Sequence, residues 1–200
     1  MQRGAHMRMM LRSFLISAAF LFFTCAGAHA HLVPGDVHGF GSGFVHPLHG
    51  LDHLLAMIAV GLWAAQLGGR ARWLVPTSFV VVMVVGAVAA MSGLRIPFAE
   101  EGILLSVLVL GILVAVAAQF PLAASMVIVG VFALFHGHSH GTEIPVNAVG
   151  FAYGAGFALA TAALHGCGIG LACLAQSVRL PAVRWAGAAI AVAGVCLWAL

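Results

Sequence analysis

The sequence predicts an all-α fold: a polytopic membrane helix bundle of six transmembrane helices after a cleavable signal peptide. Three observations lead there. The 200 residues are 63% hydrophobic and only 6% charged, whereas a soluble domain carries about 25% charged residues. No soluble fold of this size could hide so much apolar side chain. The apolar residues also fall into runs near the roughly twenty residues that a helix needs to cross a bilayer.

Residues 1–30 read as a secretory signal. Arg3, Arg8 and Arg12 form a basic start, "SFLISAAFLFF" is the apolar run, and "AHA" at 28–30 fits small-x-small cleavage. Cleavage after Ala30 leaves His31 as the mature N-terminus, outside the cytoplasm. The alternative is an uncleaved anchor helix. Cys25 could suggest a lipoprotein, but Thr24 is a poor neighbour for that signal. Residues 31–200 then form one transmembrane domain with no sizeable aqueous portion.

Six spans follow, at 47–67, 73–93, 101–119, 121–140, 147–176 and 182–200. "GGRAR", "RIPFAEE", "QFP", "TEIPVN" and "SVRLPAVR" separate them, each with turn or interface residues. The fifth is long, so it must tilt, bend or extend past the membrane. All eight basic residues are Arg, and the net charge of +3 describes interface anchors rather than a nucleic-acid face. The bilayer is the partner the composition implies. Arg70 and Arg72 lie in the first loop, Arg179 and Arg184 in the last. An outside N-terminus places both loops in the cytoplasm, as the positive-inside rule prefers, and puts the C-terminus outside too.

Small residues at spacings of four, Gly150 with Gly154 and Gly166 with Gly170, are expected where helices pack closely in lipid. Cys167, Cys173 and Cys196 fall in apolar stretches and read as small core residues rather than a disulfide framework.

Histidine is the outlier, with eleven residues. "HPLHGLDH" opens the first span, where Pro47 suits a first helical turn and His46 lies close to the cap. At about 100° per residue, a continuous helix puts His49, His53 and Met57 on one face with Asp52 flanking it, and Gly50 leaves room for a neighbour. "FHGHSHGTE" closes the fourth span. His136, His140 and Glu143 stand at i, i+4 and i+7, so a continuing helix would align them, while His138 points away. Gly137 and Gly141 again permit close approach. Both clusters lie on the same side of the membrane at similar depth. A lone His in a span is often only a helix contact, but two clusters with carboxylates are costly there and read as functional. Imidazole and carboxylate suit borderline divalent ions such as nickel, cobalt and zinc.

The expected metal-binding residues are thus His46, His49, Asp52, His53, His136, His140 and Glu143. His165 in "ALHGCGIG" is a further candidate, split between a path residue and a packing role. Met57, Met83, Met91 and Met126 could act as soft relay ligands, Met57 first, although Met is more often apolar filler. Glu100 and Glu101 read as a solvated outer loop. On a cleaved chain, the free α-amino group and ring of His31 could chelate a divalent ion. His38, on the Gly-rich stretch "GDVHGFGSGF", could help hand that ion to His46.

At these motifs the sequence resembles the HupE/UreJ family of nickel permeases. His46, Pro47, Gly50, Asp52 and His53 meet its His-Pro-x-x-Gly-x-Asp-His segment. Phe135, His136, Gly137, His140, Gly141 and Glu143 meet its Phe-His-Gly-x-Ala-His-Gly-x-Glu segment, with Ser139 where Ala is usual. The resemblance covers essentially the whole chain. It implies uptake of nickel, or of cobalt, across a bacterial inner membrane in supply of hydrogenase or urease maturation. The ion is then cargo, and no prosthetic group is expected. A secondary transporter or facilitator is the leading reading, because the chain has no Walker A loop and no domain large enough for ATP hydrolysis. A membrane-embedded metalloenzyme is the alternative, against which H-E-x-x-H is absent. A metal sensor or scaffold without transport is a third.

Overall fold

The computed structural model describes residues 39–142, 144, 147–177 and 181–199. The signal segment, His31, His38, Glu143 and Arg179 lie outside the described residues. Seven helices follow one another: α1 (Phe40–His49), α2 (Leu51–Leu67), α3 (Ala71–Met91), α4 (Ala99–Val116), α5 (Leu122–Gly141), α6 (Ala148–Ser177) and α7 (Ala182–Trp198). No strand occurs among the described residues. By length and composition α3, α4, α5 and α6 can each cross a bilayer, α1 and α2 make a fifth span if taken together, and α7 is a shorter apolar helix of 17 residues. Valines 81, 84, 85 and 88 on α3 and Leu171 and Leu174 on α6 face outward. Trp63, Phe79, Leu110 and Tyr153 fill the interior. An apolar outside around an apolar core is what lipid as solvent demands, so the chain is a multi-pass helical membrane protein.

The sequence predicts one continuous helix over 47–67. The chain instead breaks at Gly50, where φ is −83° and ψ 113°, and α1 and α2 meet at 85°. Pro47 supplies the local cause. It has no N–H to give the Gly43 carbonyl, and its ring crowds that same carbonyl, so α1 ends soon after it, at His49. Gly50 then starts the next helix, its carbonyl accepting from the Leu54 N–H at 2.9 Å. Pro47 therefore sits near the end of a helix, not at its first turn, and Gly50 provides the corner.

Glycine sets the helix crossings. A Cβ at Gly43 would stand 2.0 Å from the Tyr153 carbonyl oxygen, and one at Gly156 2.1 Å from that of Phe40, so α1 lies backbone to backbone on α6. Gly61 and Gly168 do the same for α2 and α6, Gly137 and Gly141 for α5 and α3, and Gly111 and Gly187 for α4 and α7. Of the four-spaced pairs expected to pack, Gly137 and Gly141 do, whereas Gly154, Gly166 and Gly170 meet nothing within 4 Å. Spacing identifies glycines that share a face, but not whether that face meets protein or lipid.

At the opposite end from Gly50, α4 finishes with Ala117 in the left-handed region, φ 54°. The last carbonyls of a helix have no partner within it. Here Val114 accepts from Gln66 Nε2 at 3.0 Å, Ala115 from Arg184 Nε at 2.9 Å, and Ala118, just past the end, from Trp63 Nε1 at 2.9 Å. Side chains of α2 and α7 thus tie three helix ends together on one face of the bundle.

These contacts predict an asymmetry among glycines. A Cβ at Gly137 would stand 1.9 Å from the Met83 carbonyl, so Gly137→Val should lose most folded protein, overpacking costing about 1–3 kcal/mol or more. Gly166→Val, in open space, should melt within a few degrees of the parent. Thermal unfolding of the detergent-purified variants measures this, and equal tolerance at both positions would contradict the helix crossing.

Candidate metal site

Three helices bring histidine rings together. His46 comes from the last turn of α1, Asp52 and His53 from the first turn of α2, and His136 and His140 from the last turns of α5. The 85° corner lets α1 and α2 both aim at α5. Ring centroids lie 4.5 Å apart for His53 and His140, 4.7 Å for His46 and His140, and 5.1 Å for His53 and His136. His53 is 2% exposed and His136 0%, so the rings meet in the protein interior rather than in water.

Hydrogen bonds set which nitrogens face inward. Asp52 Oδ1 accepts from the His53 backbone N–H and lies 2.7 Å from His53 Nδ1. A carboxylate on Nδ1 holds the proton there and leaves Nε2 a lone pair, the arrangement found behind many metal-bound imidazoles. His136 Nδ1 donates to the Phe132 carbonyl at 2.9 Å, which frees its Nε2 in the same way. That Nε2 and His46 Nε2 are buried with no hydrogen-bond partner among the described residues. His53 Nε2 and His140 Nε2 face each other in hydrogen-bonding contact.

Aromatic side chains of α6 wall the cluster, Phe157 at 4.9 Å from the His140 ring and Tyr153 at 5.9 Å from that of His46. A groove of about 210 Å³ between α3, α5 and α6 runs past His136 and His140, with Met83, Met91 and Phe157 along it. Among the described residues no three His, Cys, Asp or Glu side chains already close around one point as a metal shell. The site is a set of converging rings, with its nitrogens only partly turned inward.

Not every expected residue joins it. His49 is exposed on the far side of the Gly50 corner. Its face-sharing with His53 assumed an unbroken helix, and the break removes it from the cluster. α5 ends at Gly141, so the helical alignment of His136 and His140 stops short of Glu143, which is outside the described residues. Met57 is fully buried one turn along α2 from His53. His165 is 1% exposed and stacks edge-on against Phe79 at 5.1 Å, while Phe79 lies 5.5 Å from His136 on its other flank. Cys167 is exposed on the bundle surface, not in the core. His138 does point away from the cluster. Its Nε2 lies 2.9 Å from both the Ile96 N–H and the Leu94 carbonyl, gripping the connection between α3 and α4.

Three neighbours of the site went unread. Phe79, Tyr153 and Phe157 look in sequence like ordinary core aromatics, although the spacing of four between Tyr153 and Phe157 was available as a shared-face signal. Glu100 is exposed, as expected of an outer loop, but its carboxylate takes the hydroxyl hydrogen bond of Ser139. The N-terminus of α4 is thereby fastened beside His140.

The fold and site together define a multi-pass, all-helical membrane protein with a buried histidine cluster toward one end of its bundle. The HupE / UreJ protein family matches residues 18–197, and the chain belongs to that family. Protein HupE of Rhizobium leguminosarum bv. viciae is 47% identical over 173 residues, covering 85% of this chain and 89% of its own length. No solved structure matches the chain.

The division of labour among the histidines can be checked by stability. His138→Ala strands the Ile96 N–H and should cost about 1–3 kcal/mol. Nickel should still raise that variant's unfolding temperature, because a ligand of the folded state stabilises it. His53→Ala should show no nickel-dependent rise. Calorimetry with and without nickel distinguishes the two, and a shift retained in His53→Ala would remove that ring from the site.

Proposed function

We propose that this protein is a secondary transporter or facilitator that takes up divalent nickel, or the chemically similar cobalt, from the periplasm across a bacterial inner membrane. The carrying observation is the buried meeting of His46, His53, His136 and His140 from three helices, with Asp52 orienting His53. Imidazole nitrogens backed by a carboxylate favour borderline divalent ions, and ionisable groups at such depth are otherwise expensive. Family membership and the 47% identical relative support the same reading. The metal is cargo and not a resident cofactor. On this reading it supplies hydrogenase or urease maturation indirectly.

In this reading α1 and α2 together form the first of six spans and α7 the last, behind a signal peptide cleaved after Ala30, with both mature termini periplasmic. His31 and His38 would capture metal outside and pass it to His46, and Glu143 would complete the mouth with His140. An entering ion separates the His53–His140 contact and takes lone pairs of neutral imidazoles, while the free Nε2 of His136 and His46 turn toward it. A shell assembled on arrival lets the ion leave again. Chemistry on a substrate is not required of any of these groups.

Radioactive nickel uptake into proteoliposomes tests the reading. The intact protein should accumulate the ion, and Asp52→Ala, His53→Ala and His136→Ala should fall to the level of empty vesicles. Absence of uptake by the unaltered protein, with correct insertion shown, would refute transport. Acidifying the outer medium should raise the nickel concentration for half-maximal uptake, because protons compete for the ligating nitrogens. A half-maximal concentration that stays constant from about pH 7.5 to 5.5 would remove proton competition in that range from the reading.

A further inference from the structure

The outer cluster does not use all the buried polar groups. His165 lies on α6 eight residues beyond Phe157, about 12 Å deeper at 1.5 Å per residue. It is 1% exposed, and neither ring nitrogen has a hydrogen-bond partner among the described residues. Leaving an imidazole unpaired in a dry interior costs energy at each nitrogen, and Leu would fill the same space without that cost. The backbone there is held firmly: a Cβ at Gly61 would come within 2.2 Å of the His165 carbonyl oxygen, and Gly168 makes the reciprocal approach to Ile58.

Two rungs connect α3 and α6 at this level. The Phe79 ring meets His165. One turn outward on both helices, the fully buried Thr161 donates its hydroxyl to the Met83 thioether at 3.8 Å. Met83 also borders the groove that passes His136 and His140. From the outer cluster inward the donors are therefore imidazole, then hydroxyl and thioether, then imidazole again, with Phe79 packed against both His136 and His165. A thioether binds borderline and soft metals and takes no part in proton transfer near neutral pH. That favours a cation path over a proton relay.

We infer that His165, approached through Thr161 and Met83, is a second, inner binding station for the transported divalent cation. The inference rests on the uptake reading above. A single imidazole holds an ion loosely, as a station from which the ion must move on should.

Nickel influx into proteoliposomes and equilibrium nickel binding to the same detergent-purified proteins are compared for His165→Leu and His165→Cys. In His165→Leu the outer cluster should bind nickel with unchanged affinity while influx falls at least about tenfold, the low end of losses seen even for groups that only orient metal ligands. His165→Cys keeps a metal-binding side chain and should recover much of that loss. Parent-like influx in His165→Leu would overturn the inference. So would equal slowing in His165→Leu and His165→Cys, since that marks a packing role. Should His165→Leu not fold, His165→Gln replaces it, and the same comparison with His165→Cys decides. Failure of the outer-site reading looks different: His53→Ala would then bind and transport nickel like the unaltered protein.

Discussion

The corner at Gly50 is the constraint on which the site depends. A straight helix through 46–53 would set His46 and His53 on nearly the same face but about 10 Å apart along a single rod, too far for both rings to meet His140. The 85° bend makes two short helices of the segment and points both at the end of α5. Pro47 withholds a hydrogen bond from the Gly43 carbonyl, and Gly43 itself is pressed against α6. One short stretch of sequence thereby breaks the helix, anchors the broken piece and delivers His46 to the cluster. Non-helical backbone at membrane depth is tolerated only where protein buries it, and Gly50 is buried.

The same glycines that set helix crossings also hold the clustered histidines still. Gly137 and Gly141 alternate with His136, His138 and His140 along α5 and rest on the α3 backbone. The face of α5 next to the cluster is thus fixed by main-chain contact. Gly61 and Gly168 fix α6 at His165 in the same manner. Without a hydrophobic drive between helices in lipid, such close approach is a principal source of packing energy. Here it doubles as the means of positioning imidazoles, whose useful geometry depends on the backbone that carries them.

Much of this was legible in the sequence. Four of the six expected spans correspond closely to single helices long enough to cross a bilayer, α3 to α6, and a fifth to the shorter α7, because a bilayer imposes a length and a composition that hydropathy detects directly. The meeting of the two motifs followed from counting spans, which put both at the same end. The corner was harder to see. Pro47 is as welcome in a first turn as it is disruptive near a last one, and only the helix preceding it, starting at Phe40, decides between the two. His49 was misplaced for that reason alone. Phe79 and Phe157 were not legible as site neighbours, since a buried aromatic carries no mark of whether it packs on Leu or on His.

His136, His138 and His140 show why residue type and spacing stop short of role. All three are buried in one helical turn and a half of α5. His138 spends its Nε2 on the backbone of the α3–α4 connection, and a nitrogen committed there is lost to a metal. His136 spends Nδ1 on the carbonyl one turn back, which is the nitrogen facing its own helix, and so keeps the outward one. Asp52 does for His53 what the Phe132 carbonyl does for His136, with the added charge of a carboxylate. The fold thus separates these histidines by which of the two ring nitrogens it occupies. An imidazole with neither occupied, as at His165, stands apart from both kinds.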